Sequence, residues 1–302
     1  MKSAVLELRN VTKQFGTLKA IDSMSFRVTK GEVVGFVGAN GAGKTTTISA
    51  ILGFISPTEG EITVHGKRVT PPAMHKTHGK VGYAAGDMEL PARLTGGQYL
   101  TFVAAQFKSD KVWLEELCEK FAPQLDKKIG TLSRGNKQKI ALIAAFLPRP
   151  ELVVLYEPTS GLDPIMQEVF LNLVREEQAR GTTIFMSSHY LNEVADVCSR
   201  IILMREGAIV EDVDAERMLA ESGKQVRIVT GYANTRPPKG ATDVEESTDE
   251  SGATVLAFTW KLPPKDLQGW VAGIKQLRDI EITEYNLEGV FKEMYLPEKR
   301  KP

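Results

Sequence analysis

Residues Gly38 to Thr46 read GANGAGKTT and set a lysine and two hydroxyls directly behind a glycine-rich turn. The spacing is G-x-x-x-x-G-K-[ST] through Gly38, Gly43, Lys44 and Thr45. Backbone amides of such a turn, and of the helix it opens, converge on a polyphosphate. Asn40, Gly41 and Thr46 belong to the same cradle. Lys44 supplies a point charge for the β- and γ-phosphates, and the Thr45 hydroxyl supplies a ligand for magnesium. The run predicts binding of a nucleoside triphosphate.

The flanking segments suit that task. The apolar run 33–37 reads as a buried strand, and Thr45 onward, through Ile48, Ile51 and Leu52, reads as a helix. Upstream, 6–11, 25–28 and 61–64 are short strands with turn signals between them, among them His65-Gly66, so an antiparallel start is expected. Downstream, VGYA after Lys80 reads as a strand, followed by an irregular stretch to Gly97 and two helices. In the second helix Trp113, Leu117 and Phe121 share one face, with Asp110 as its N-cap. The segment LSRGNKQKIALIAAFL is a helix capped by Ser133, with Ile140, Ile143, Ala144 and Leu147 on its apolar stripe. Pro148 and Pro150 stop it. Strands at 152–155, 182–186 and 200–204, with a helix from about Tyr190, alternate as in a parallel α/β sheet.

The 302 residues carry 42% hydrophobic and 25% charged side chains with zero net charge, an ordinary globular composition without the positive field that nucleic-acid binding needs. No apolar run reaches the ~18 residues that cross a bilayer, and the N-terminus has no signal-like core. A cytoplasmic protein is expected, with any membrane contact made through a partner. Cys118 and Cys198 are far apart and outside any CxxC motif, so two reduced thiols are expected. Composition shifts near Glu221. Strands are expected at 225–232 and 254–260, and the acidic TDVEESTDES between them reads as a mobile loop or hairpin tip. A helix over 266–277, a strand over 281–285 and a last helix over 287–295 complete a small α+β domain, read as an accessory or regulatory module.

GANGAGKTT, LSRG, LYEPTSGLD and SSHYLNEVADVCSR stand in a fixed order. Together they resemble the ATP-binding subunit of ABC transporters over about residues 4–220. The ending YNLEGVFKEMY is similar to subunits that serve exporters of drugs, lantibiotics or polysaccharides. The resemblance implies an α/β fold: an ABC-type P-loop ATPase domain over 1–220, with an antiparallel β subdomain, a parallel α/β core and a helical signature subdomain at about 87–150. The small α+β domain occupies 221–302. It implies that Phe15 stacks on adenine, although a strand-end core aromatic is the other reading of that residue. Ser133 and Gly135 would contact the γ-phosphate bound to an opposite subunit, so ATP would sit between two head-to-tail copies, either a homodimer or a heterodimer with a paralogous ABC ATPase. Glu157 would be the general base, Asp163 part of the loop that crosses to the other subunit, and His189 the switch histidine at the γ-phosphate. ATP and Mg2+ are the implied cofactors. A multi-span membrane permease is the implied partner and would hold the chain at the inner face of the membrane.

Two positions depart from the family. Its magnesium-holding aspartate, just before the glutamate, is Tyr156 here, and a phenol with a pKa near ~10 is a poor hard-oxygen ligand. Its glutamine after the VGYA strand aligns with Gly86, with Asp87 or Glu89 as candidate replacements and Gln98 too far along. Loss of one preorganised group costs about 10² to 10³ in rate, so ATP binding is better supported than hydrolysis. The leading reading is a transporter ATPase subunit that drives export. Two others stay open: a hydrolysis-deficient subunit that pairs with a competent ATPase, and a soluble ABC ATPase acting on ribosomes or DNA.

Overall fold

The computed structural model describes residues 3–73, 79–188, 195–232, 235–249 and 251–284. The chain divides into two units, Met1–Val213 and Asp214–Pro302. The first begins with a hairpin of β1 (Ala4–Phe15) and β2 (Leu18–Thr29), followed by β3 (Val33–Gly38) and helix α1 (Lys44–Ile51). β4 (Glu59–Val64) and β5 (Lys67–Arg68) return to the hairpin, turning at His65-Gly66 as the sequence predicts. The result is an antiparallel sheet of order β2-β1-β4-β5.

β6 (Val81–Ala85) leads to three helices: α2 (Gly96–Phe107), α3 (Lys111–Phe121) and α4 (Arg134–Phe146). Both predicted serine and aspartate caps form. Asp110 accepts from the Val112 amide of α3, and Ser133 accepts from the Asn136 amide of α4. Trp113, Leu117 and Phe121 are all buried. One boundary differs from the sequence reading. α2 starts at Gly96, inside the stretch expected to be irregular, because Thr95 and Gln98 form a reciprocal capping box that offsets two glycines at the helix start.

β7 (Leu152–Tyr156), α5 (Pro164–Ala179), β8 (Thr183–Ser188), β9 (Arg200–Arg205) and β10 (Ala208–Asp214) complete a six-stranded sheet of order β10-β9-β3-β8-β7-β6. β9, β3, β8, β7 and β6 pair in parallel. β3 and β8 are buried at every position, as expected of strands covered on both faces. Three phenylalanines link the two sheets. Phe185 of β8 lies 5.2 Å from Phe36 of β3 and 5.6 Å, stacked, from Phe26 of β2.

In the second unit, α6 (Ala215–Ser222) precedes an antiparallel sheet of order β12-β13-β11-β14, formed by β11 (Lys224–Thr230), β12 (Thr242–Thr248), β13 (Thr254–Trp260) and β14 (Leu277–Glu284). α7 (Pro264–Ala272) joins its last two strands. Leu267 and Trp270 of α7 pack on the cluster of Val226, Ile228, Leu256, Phe258 and Trp260. The acidic stretch read as a mobile loop is mostly strand β12. Its seven side chains are all exposed, and its ladder to β13 orders it. Asp249 then closes the hairpin by accepting from the Ser251 and Ala253 amides. The helix expected over 287–295 lies outside the described residues. Cys118 and Cys198 are both free thiols, Cys198 fully buried.

Trp113 shows how the helical subdomain is held. Its ring is 1% exposed, and its indole N–H donates to the Phe146 carbonyl at 3.2 Å. The guanidinium groups of Arg149 and Arg180 lie 4.4 Å and 4.9 Å from the ring centroid. Trp113→Ala is expected to destabilise the first unit by about 3–5 kcal/mol, read as a lower midpoint in urea unfolding with the transition of the second unit unmoved.

Candidate functional site

The parallel register brings the C-terminal ends of β3, β6, β7 and β8 to one edge, where open α/β sheets bind ligands. Val37 is level with Ser188, Tyr156 with Ser187, and Ala85 with Tyr156. Gly38, Gly86, Glu157 and the end of β8 therefore form a row. The loop from Ala39 to Gly43 follows β3 and delivers α1, whose N-cap is Gly43 at φ 106°. A Cβ at Gly43 would lie 2.2 Å from the Ala20 carbonyl oxygen, so the close approach of β2 requires glycine there, independently of any ligand.

Lys44 is 4% exposed. Its Nζ donates to the Gly38 carbonyl at 2.6 Å and the Ala39 carbonyl at 3.3 Å, and lies 3.8 Å from Oε1 of Glu157. Burial lowers the pKa of this ammonium more than the neighbouring carboxylate raises it. Around it lies a cleft of about 510 Å³ lined by Phe15, Leu18, Asn40, Gly41, Gly43, Lys44, Thr45, Thr46, Tyr156 and Glu206, among others. Phe15 is 50% exposed at this cleft, which excludes the core-aromatic reading of that residue.

Ser133 and Gly135 lie elsewhere. Neither lines the cleft, although they start a helix that packs tightly on the loop after β7. A Cβ on Gly135 would lie 2.5 Å from the Gly161 carbonyl oxygen. Arg134 between them donates to the Ser160 hydroxyl at 2.6 Å, and buried Gln138 donates to the Pro158 carbonyl at 2.7 Å. Asp163 caps α5 by accepting from the Met166 amide. His189 lies outside the described residues.

The two departures acquire a geometry. Tyr156 packs its ring against the core, and its hydroxyl accepts from the Thr45 hydroxyl at 2.8 Å. Sequence reasoning found the odd residue but not this bond, because nothing in the spacing says that a phenol at the end of β7 reaches the start of α1. Gly86 donates its amide to the Tyr156 carbonyl, and a Cβ there would lie 2.6 Å from the Glu157 carbonyl oxygen and 2.8 Å from Ser160 Cβ. No side chain fits. Asp87 and Glu89 line, with Gly86, Arg134 and Lys137, a cavity other than the cleft that holds Lys44 and Thr45. Gln98 is the capping-box residue of α2. Lys19, Ala20, Glu206 and Gly207 also line the cleft, and no motif marks them in the sequence.

Comparison with known proteins gives a consistent picture. The ABC transporter family pattern matches residues 21–160. The Nod factor export ATP-binding protein I of Burkholderia orbicola (strain AU 1054) is 31% identical over 298 residues, covering 96% of this chain and 97% of its own. The solved structure of an ATP binding subunit of an ABC transporter superposes with a TM-score of 0.65 at 27% identity, over 71% of this chain and 91% of that one. A dimeric ATP-binding cassette in a post-hydrolysis state, bound to ADP and Pi, shares the fold with a TM-score of 0.64 at 22% identity, over 70% of this chain and 98% of that one.

The contact at Gly86 predicts a failed repair. Restoring the family residue alone, Gly86→Gln, is expected to lower stability by about 1–3 kcal/mol in urea unfolding and to leave ATP turnover no higher, because the side chain must push the Glu157 backbone aside.

Proposed function

We propose a working cycle for a chain that belongs, by its motifs and its relatives, to the ABC transporter ATP-binding proteins. It is the nucleotide-binding subunit of such a transporter. In the proposed cycle ATP lies in the cleft of the first unit, with Phe15 against adenine and the amides of residues 40–46 around the phosphates. Lys44 exchanges its contacts with the Gly38 and Ala39 carbonyls for the β- and γ-phosphates. Glu157 accepts a proton from the attacking water, and His189 contacts the γ-phosphate.

Ser133 and Gly135 are proposed to complete the site of a second subunit, because they do not line the cleft of their own chain. A capping serine with free helix-start amides is an anion site in need of an anion. Dimer closure around ATP would then drive a multi-span permease, with export as the direction, as in the name of the Nod factor relative. Among the described residues no helix is long and apolar enough to cross a membrane, which suits a subunit held at the inner face of the membrane by that permease. The relatives named above favour neither the hydrolysis-deficient reading nor the ribosome or DNA reading.

Magnesium fits poorly. Among the described residues no cluster of three or more histidine, cysteine or carboxylate ligands exists, and the Thr45 hydroxyl, whose lone pairs remain available, is neutral and donates to a neutral phenol, Tyr156. A divalent cation would neutralise charge on the phosphates.

The observation that carries the reading is Glu157 at 3.8 Å from the lysine that faces the cleft. Lys44→Ala is expected to weaken ATP binding at least about tenfold. Glu157→Gln is expected to bind ATP normally and to lose about 10²- to 10³-fold in turnover. Equal turnover by wild type and Glu157→Gln in the dimeric, purified chain would remove Glu157 from the mechanism.

A further inference from the structure

We propose that Tyr156 makes ATP binding by this chain nearly independent of magnesium, by setting a neutral phenol beside Thr45 where the metal side of the cleft would otherwise take an anionic protein oxygen. The proposal deepens the reading above and rests on the cleft being the ATP site.

Three independent observations converge on it. The first is the bond itself, 2.8 Å between the two hydroxyls, with the ring of Tyr156 fixed against the core of the first unit. Thr45 donates its proton in that bond and keeps its lone pairs, but the group it is paired with is a neutral phenol, so the bond brings no negative charge to the metal side of the cleft. The second is Gly86. Its would-be Cβ meets backbone at 2.6 Å, so the fold itself excludes a side-chain oxygen at that strand end. The third is the placement of the nearby acids. Asp87 and Glu89 belong to the other cavity, and Glu157 is the neighbour of Lys44. Hard divalent cations are held by carboxylates and phosphates, and a single neutral hydroxyl adds little to what the phosphates already provide.

The phosphate cradle has none of these deficits. Lys44, the amides of the loop and the start of α1 are all in place. The affinity for the polyphosphate therefore comes from lysine and backbone, with no anionic protein group that favours the cation-bound form. A carboxylate in place of Tyr156 would change that. Groups of this kind, which act on a metal through its bound water, contribute about 10- to 100-fold in metal affinity.

The test is calorimetric titration of the full chain with ATP, in excess magnesium and in excess EDTA. Wild type is expected to give dissociation constants within about threefold of each other, and Tyr156→Asp a ratio of about tenfold or more in favour of magnesium. Tyr156→Phe, which adds no charge, is expected to keep the wild-type ratio. If the carboxylate prevents folding, the wild-type ratio alone decides, and a value within about threefold supports the proposal. A wild-type ratio above about threefold in favour of magnesium overturns the proposal and leaves the ATP site standing. Absence of ATP binding in both buffers overturns the site reading and this proposal with it.

Discussion

The loop from Glu157 to Gly161 is packed backbone against backbone on two sides, and the arrangement of the site depends on that contact. On one side Gly86 approaches so closely that a Cβ would sit 2.6 Å from the Glu157 carbonyl oxygen. On the other, Gly135 approaches Gly161 to 2.5 Å by the same measure. Glu157 itself adopts φ 48°, an uncommon conformation for a non-glycine residue, which the loop maintains through its amide bonded to the Ser187 carbonyl. The strand end, the acid and the signature helix are thus a single packed object. Moving the helix moves the acid. The Arg134–Ser160 and Gln138–Pro158 bonds strengthen the same junction from the helix side.

Much of this was legible from the residues alone. The glycine-lysine-threonine spacing identifies the cradle because its chemistry is local: one turn, one helix start, one cation. Ser133 and Asp110 were legible as caps for the same reason, since a cap and its partner amide are two or three residues apart. The apolar runs at β3, β7 and β8 announced buried parallel strands. What failed was non-local. The Thr45–Tyr156 bond spans 111 positions in sequence, and the clash at Gly86 depends on how β6 and β7 register. The β12 strand was missed because its side chains never enter a core. Its order comes from a backbone ladder, which composition does not record.

The energetics of the cleft follow from Lys44. Its ammonium is buried, so its charge is costly, and it makes contacts with two backbone carbonyls and a carboxylate. A phosphate in reach of that ammonium replaces neutral dipoles with an anion in a medium that screens weakly. The lysine is therefore held ready by the interactions that a substrate must exceed.

The three clustered phenylalanines at 26, 36 and 185 join the hairpin sheet to the parallel sheet, and the cleft takes its lining from both. Its span from Phe15 to Lys44 is consequently a fixed gauge. On the base side it offers an exposed ring face and the Leu18 methyl groups, on the phosphate side a lysine and a row of amides. A ring face accepts any nucleobase, because every base has a π-face. A row of amides counts charge. If the cleft holds a nucleotide as proposed, discrimination would fall on the length of the phosphate chain more than on the base attached to it.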